Sequence, residues 1–581
     1  MALLLALAPF ERLQVLVRLP GQQVTNVEAL LFAVLAAWAL ALSFRLTGRS
    51  TGRSTGRVQG RPMATFVNTP LTAPWIALIL AMLLAALVAP SGESLQGNAL
   101  NMVGRYGLAF LVYILAVDAT SSGRLDHLLT IAVVLGFVLA VIILLDFWGL
   151  SGVRAWLRQF RMGISLVGSQ VRATGPFQYP TIASMYLEVL FALGLGFLLL
   201  MFERGRHGAA AMVVITLLLI GQAVVLTFTR AGLVTLLSSL AIVAALRVHQ
   251  RGVDRAVIVL GALAVTVGLQ FVGSRSLDAL RLRLSTEGQG EWYRASFDAP
   301  LAIEVPVGGT IAVPLSVTNT GRIRWDPDAS QRFRLSYHWL LEDDDRVVSW
   351  EGLRTDFETA VEPGDTVAVV ARVEAPRQAG TYRVLWDLEE EERLWFSTEP
   401  EANLFTSRAT VTGYGALVFD PAALKPFARG RVRPGRLVLW RTAGRMLADR
   451  PWTGVGPDNF RLLYGEYAGL ANADRRVHSN NLYLELLASG GLVAGVVLVW
   501  FFWRVAMVSW RAVVPRAVHP AAPGVVAAVA AVAVHGVFDA FLAFTATYIL
   551  TAITLGLAAG LSVSVSLRQP GPQDPAYVEG A

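Results

Sequence analysis

The sequence contains no cysteine and a single lysine, Lys425. The first absence excludes disulfides, thiolate metal sites and thiol catalysis, and leaves the compartment open. The second makes arginine almost the sole carrier of positive charge, so the net charge of +7 is a count of guanidinium groups. Charge as a whole is scarce: 16% of the 581 residues are Asp, Glu, Lys or Arg, against about a quarter in soluble domains. That excludes an ordinary soluble enzyme, and with it the reading of a basic chain as a nucleic-acid binder. There is no phosphate-cradling P-loop, no His/Asp/Glu cluster with metal-ligand spacing and no internal repeat of apolar spans.

Apolar sequence is abundant, at 54%, and it clusters into runs long enough to cross a bilayer core, which takes about 20 helical residues. Such runs lie near 27–46, 72–89, 103–119, 127–149, 181–202, 210–229, 231–247, 256–273, 487–508, 522–541 and 543–566. They predict an α-helical polytopic membrane protein with eleven or twelve transmembrane helices. The twelfth depends on residues 1–20, where Glu11, Arg12 and Arg18 interrupt an apolar segment. That segment reads as an interfacial amphipathic helix or a short span, and it lacks the small-residue cleavage site of a signal peptide.

The arginines orient the spans. Arg45, Arg49, Arg53, Arg57 and Arg61, then Arg204 and Arg206, then Arg247, Arg251 and Arg255, then Arg504, Arg511 and Arg516 fill alternate loops. Short arginine-rich loops stay cytoplasmic. The 90–102 loop, the 150–180 loop and all of 274–486 are then outside, with the C-terminus inside. The Thr–Gly–Arg tract at 47–57 is a solvated cytoplasmic linker by composition.

Residues 295–412 change character. Short alternating segments (IAVPLSVTNTG, FRLSYHWLL, TVAVVARVEAP, YRVLWDLEEE) are separated by turn signals such as Gly308–Gly309 and Pro363–Gly364. The pattern predicts an all-β sandwich and resembles an immunoglobulin-like module. Trp325, Trp339, Trp386 and Trp395 are expected to fill its core, with a glycan-binding face as the sharper alternative. The chain therefore divides into an N-terminal transmembrane region (1–291), an extracytoplasmic β-sandwich insert (292–413), an extracytoplasmic loop (414–486), C-terminal transmembrane helices (487–566) and a cytoplasmic tail (567–581).

Several polar residues stand where charge is expensive. Arg230, in VVLTFTRAGLVTLL, has apolar neighbours on both sides and no loop to retreat into, so it is either functional or snorkels to the headgroups. Arg172 opens RATGPFQYPTIASMYL, where it lines a cleft or merely ends a loop. Arg436, close to Arg433 and Arg441, begins a long loop segment and either holds an anion or pairs with acidic strand ends. His478 precedes a helix, followed by Asn480, Asn481 and Tyr483, with Glu485 beyond. A neutral imidazole there can take a proton, although a lone histidine is more often structural. Pro451, Gly454, Gly456, Asn459 and Phe460 read as a loop permitting close backbone approach. His535 and Asp539, one helical turn apart, form a polar pair or serve helix packing, and Glu188 is similar.

Three of these segments together are informative. The Arg–x–x–x–Trp opening at Arg436, the Pro–x–x–Gly–x–Gly–Pro–x–Asn–Phe turn from Pro451 and the His–Ser–Asn–Asn–Leu–Tyr–Leu run from His478 come in one order. They resemble the signature loop of the O-antigen ligase and polymerase family, polytopic enzymes of cell-surface polysaccharide assembly in the cytoplasmic membrane. Thr227–Phe228–Thr229–Arg230–Ala231 resembles the family's Thr–x–Ser–Arg–Gly, and RATGPFQYPT resembles an external loop in which Thr181 replaces an asparagine. The family histidine aligns with Asn480, and His478 occupies the place of a second one two residues earlier. The resemblance implies a polyprenyl-pyrophosphate-linked oligosaccharide donor, attack by an acceptor hydroxyl with inversion, and no metal or other cofactor. It assigns the pyrophosphate to Arg230 and Arg436; either His478 has taken over the proton or the chain works without a base there, and Arg172, Arg441, Asn480, Asn481 and Tyr483 are expected around the substrate. It leaves open whether the acceptor is a glycan, a lipid or a protein. A lipid-linked glycan transporter and an inactive membrane anchor displaying a binding domain remain as alternatives.

Overall fold

A computed structural model describes residues 1–19, 22–47, 69–90, 93–167, 170–274, 278–286, 289–328, 332–391, 393–400, 402–414, 424–428, 430, 434–470, 473–514 and 519–566. Most of the Thr–Gly–Arg tract, Arg433 and the tail at 567–581 lie outside the described residues.

Nine described helices are long and apolar enough to cross a membrane. They are α2 (Asn26–Thr47), α4 (Glu93–Ser121), α5 (Leu125–Phe147), α7 (Pro180–Glu203), α8 (His207–Leu226), α9 (Arg230–Arg251), α10 (Arg255–Gly273), α14 (Leu482–Val513) and α16 (Thr545–Ser566). Two shorter apolar helices, α3 (Thr72–Leu87) and α15 (Ala522–Gly536), fall on the other two expected spans. The segment at the N-terminus is not a twelfth span. Its helix α1 (Ala2–Leu7) has 6 residues, too few to cross at about 1.5 Å each, and it tucks Leu4 and Leu5 into the bundle, where Leu5 O accepts from Tyr186.

Helix α7 is the bundle's central element, buried along almost its whole length. It meets α15 at a glycine pair: a Cβ on Gly524 would lie 2.2 Å from the Gly196 nitrogen. In a membrane, where burial from water drives nothing, such small-residue contacts let backbones approach and pack. Short elements collect at one end of the bundle: α6 (Ser151–Leu157), the hairpin β3–β4 (Ser165–Val167, Gln170–Arg172), α11 (Asp278–Ser285), α12 (Arg436–Asp449) and α13 (Phe460–Ala468). The span expected to run to 541 stops at Gly536, and residues 537–544 turn across this same end.

Between α11 and α12 lies a β domain of two sheets. Strands β1 (Val17–Leu19) and β2 (Gln22–Val24) lie near the N-terminus. Those of the β domain are β5 (Ala295–Asp298), β6 (Ala302–Pro306), β7 (Thr310–Asn319), β8 (Phe333–Leu341), β9 (Val347–Ser349), β10 (Thr355–Asp356), β11 (Thr366–Glu374), β12 (Gly380–Glu390), β13 (Leu394–Trp395) and β14 (Phe405–Thr412). The smaller sheet is β11–β7–β5; the larger runs in the order β10–β8–β12–β14–β6, with β9 beside β8 and β13 beside β12. Its long pair, β8 (Phe333–Leu341) with β12 (Gly380–Glu390), is antiparallel, as is β7 (Thr310–Asn319) with β11 (Thr366–Glu374). Alternate residues face the space between the sheets. Across it, Trp339 Nε1 donates to Glu374 O at 2.9 Å and Glu374 N donates to Tyr337 Oη at 2.8 Å. Trp325, Trp339 and Trp386 are buried, as expected of core residues. Trp395 is half-buried instead, with the Arg354 guanidinium 5.2 Å from its ring.

Candidate active site

The site begins with a broken helix. Gly491 sits at φ 61°, ψ −162° inside α14, a conformation essentially restricted to glycine. The break strips carbonyls and amides of their helical partners, and the loop at 451–456 supplies replacements. Val455 N and Gly456 N donate to Ala488 O and Ser489 O, while Leu492 N and Val493 N donate to Pro451 O and Trp452 O, at 2.7–3.2 Å. Contact this close leaves no room for side chains. A Cβ on Gly454 would lie 2.2 Å from Ala488 O, and one on Gly491 would lie 2.5 Å from Trp452 O. Pro451, Gly454 and Gly456 therefore act through backbone fit, and Asn459, wholly buried, donates to Val455 O.

The short α14 segment before the break holds the histidine that precedes it, through Glu485. Asn481 caps it, accepting from Leu484 N at 3.0 Å, and its amide also donates to Val537 O at 3.0 Å, fastening the 537–544 segment. Glu485, in the first helical turn where a carboxylate suits the dipole, accepts from Ser479 N at 2.8 Å and pairs with His478 Nδ1 at 3.0 Å. Burial by itself would lower the His478 pKa, but Glu485 outweighs it and holds the imidazole above its ordinary value. With Nδ1–H directed to Glu485, Nε2 is the nitrogen left to take a proton. Asn480 adopts φ 53°, a left-handed conformation that asparagine tolerates. His478 and Asn480 line a pocket of about 220 Å³ together with Tyr179, Asp539 and Phe544.

Four arginines gather behind Asp539. Arg172 is fixed from its own loop: buried Asp146 forms a two-pronged pair with Arg161 (2.6 and 2.7 Å) and accepts from Thr174 N and Gly175 N. Arg172 Nε then donates to Thr227 O at 2.9 Å. Arg230 does not sit within an unbroken span. Helix α8 ends at Leu226, Phe228 takes φ 50°, and Arg230 is the first residue of α9, donating to Thr286 O. Arg436, first in α12, donates to Phe538 O at 3.1 Å.

The fourth arginine, Arg283 of α11, was not anticipated. The sequence offers only Arg281–Leu282–Arg283, with nothing to choose between the two arginines; the fold exposes Arg281 and half-buries Arg283. Burial, then Arg230 and Arg436, push the Arg283 pKa down to about 10. Arg172 is likewise held well below the ordinary guanidinium value, chiefly by burial and then by Arg283, with Asp539 opposing and Arg230 adding. Among the described residues, the Nε atoms of Arg230 and Arg283 are buried without a hydrogen-bond partner. Four neighbouring cations, with Asp539 acting on Arg172, form a site that an anion of several charges would relieve, and the guanidinium fork suits phosphate oxygens.

The remaining expected residues lie elsewhere. Arg441 is exposed on α12, since five residues on from Arg436 a helix has turned by roughly 140° beyond a full circle. Tyr483 faces away from the pocket, donating to Ala533 O at 2.7 Å and packing its ring on Phe502. His478 with Asn480, and Arg172 with Arg230, Arg283 and Arg436, are thus the groups the fold assembles.

Residues 403–499 match the family described as O-antigen ligase, from β14 (Phe405–Thr412) through the break in α14. The match includes Arg436 and His478. No curated protein matches the chain.

Proposed function

We propose that this membrane protein moves a glycan from a polyprenyl-pyrophosphate carrier to an acceptor hydroxyl with inversion, at the extracytoplasmic face of a cytoplasmic membrane. The family match supports a ligase- or polymerase-like role in polysaccharide assembly. The single observation that carries the finer reading is the arginine cluster at the helix ends beside the His478 pocket. Arg172, Arg230, Arg283 and Arg436 take the pyrophosphate, whose negative charge grows as the glycosidic bond breaks, and preorganised cations stabilise that growth. The acceptor occupies the pocket, where His478 removes its proton, steadied by Glu485. The leaving carrier needs no protonation to depart, because the cluster already compensates its charge.

The test is transfer by the protein reconstituted with a polyprenyl-pyrophosphate oligosaccharide and candidate acceptors, comparing wild type with Arg230→Ala, Arg436→Ala and His478→Ala. Glycan transfer with release of polyprenyl pyrophosphate, abolished by the arginine changes and slowed by the histidine change, is the expected result. Binding of the carrier without transfer to any acceptor would defeat the reading and favour a transporter.

A further inference from the structure

A second polar chain reaches the pocket from inside the bundle. Ser184 Oγ donates to Glu188 Oε1 at 2.6 Å, Glu188 Oε2 lies 2.8 Å from His535 Nδ1, and His535 Nε2 faces Asp539 Oδ2 at 4.0 Å. Glu188 and His535 are wholly buried, between α7 and α15, at the interface that Gly196 and Gly524 bring into backbone contact. His535 Nε2 and Asp539 Oδ2 have no hydrogen-bond partner. The other oxygen of Asp539 accepts from Ala540 N at 2.8 Å, and both residues form the pocket wall with His478 and Asn480. Around Asp539 stand His535 at the end of α15, Arg172 from the β3–β4 hairpin, Arg436 near His535, and His478 in the same pocket.

As packing, this arrangement is expensive. Two carboxylates and an imidazole are taken out of water, and two facing polar atoms are left unmatched. As acid–base chemistry it is orderly: a carboxylate in the pocket, an imidazole behind it, and a buried carboxylate that fixes the imidazole's tautomer.

We propose that Asp539, backed by His535 and Glu188, is a second proton acceptor for the attacking hydroxyl, lining the same pocket as His478; this rests on the transfer reading above. The acceptor oxygen forms its bond to the anomeric carbon as the bond from that carbon to the pyrophosphate oxygen breaks. The pyrophosphate leaves with the electron pair, and the single hydroxyl proton passes to the Asp539 carboxylate on this route and to His478 on the parallel one. With Nδ1–H directed to Glu188, His535 Nε2 holds a lone pair aimed at Asp539 and relays the proton once the 4.0 Å gap closes. Asp539 is the catalytic residue; His535 and Glu188 are positioning residues.

The experiment measures two quantities on the full-length protein: kcat at saturating donor, from released polyprenyl pyrophosphate, and affinity for added polyprenyl pyrophosphate. Asp539→Asn, His535→Gln, His478→Ala and the double change His478→Ala with Asp539→Asn are compared. Because the two acceptors serve one proton in parallel, Asp539→Asn and His478→Ala are each expected to lower kcat by roughly 2- to 5-fold, with His535→Gln lowering it less than Asp539→Asn, all at unchanged affinity, and the loss of both acceptors to cost roughly 10²-fold. The double variant falls well below either single one. Unchanged kcat in Asp539→Asn overturns the proposal, as does a fall in kcat matched by a fall in affinity, which would make Asp539 only a counter-charge for the arginines. His535→Gln keeps the pocket carboxylate, so it decides the matter if Asp539→Asn does not fold. An active wild type with an indifferent Asp539 overturns this proposal alone; an inactive wild type overturns the transfer reading as well.

Discussion

Replacing Arg283 by glutamine separates a binding arginine from a structural one, because the two roles predict opposite signs. In the unliganded protein Arg283 is held at a pKa of about 10 by burial and by Arg230 and Arg436. At about 1.4 kcal/mol for each pH unit of displacement, its cationic form sits on the order of 3 kcal/mol above its level in water. Glutamine keeps much of the volume and removes the charge, so the empty protein should melt no lower than wild type, and higher if the repulsion is felt by the whole cluster. The carrier should bind more weakly. A charge-assisted hydrogen bond contributes about 1.5–3 kcal/mol, which is roughly 10- to 150-fold in Kd. The assay pairs thermal melting in detergent with titration of polyprenyl pyrophosphate. A lower melting temperature with unchanged affinity would refute the reasoning and make Arg283 a support for α11.

Two further outcomes follow from the same geometry. Glu485→Gln removes the group that holds the His478 pKa up while leaving the burial that lowers it, so the acid limb of the kcat–pH profile should move to lower pH. The linked stability has the same sign: a raised histidine pKa stabilises below its unfolded value of about 6.5 and loses that contribution as pH rises through the folded value, so the variant should lose stability mainly on the acid side. An unmoved acid limb would remove His478 from the proton's path. Gly491→Ala places a Cβ 2.5 Å from Trp452 O at a φ of 61°, costing on the order of 3 kcal/mol; a melting temperature equal to that of wild type would show that the loop and the broken helix are not locked together.

The membrane fold was largely legible in the sequence because its signal is coarse. A run of apolar residues must be helical in a bilayer, where every backbone group needs an internal partner. All eleven expected spans are occupied by apolar helices, and of the two readings left open for residues 1–20 the short span is excluded by a helix of 6 residues. The β domain was legible from its period-two alternation. The site was legible only in part. Arg230 stands out by charge in a costly place, and Arg172, Arg436 and His478 stand out through the family-like motifs around them. Arg283 does not, because it lies in a polar segment where arginine is unremarked and only the fold half-buries it. Arg441 and Tyr483 were expected at the substrate through nearness in sequence, and helix rotation turns both away. Asn480 and Phe228 hold positive φ, a feature no residue pattern near them declares.

The fracture in α14 also changes how the site meets its solvent. A continuous rod of 32 residues would carry any change of tilt straight to His478, and bilayers of different thickness tilt their helices differently. Here the stretch after Gly491 can follow the lipid while residues 482–490 keep register with the docked loop. Under the proposed function, the break would keep the geometry around His478 independent of the thickness of the membrane that houses it.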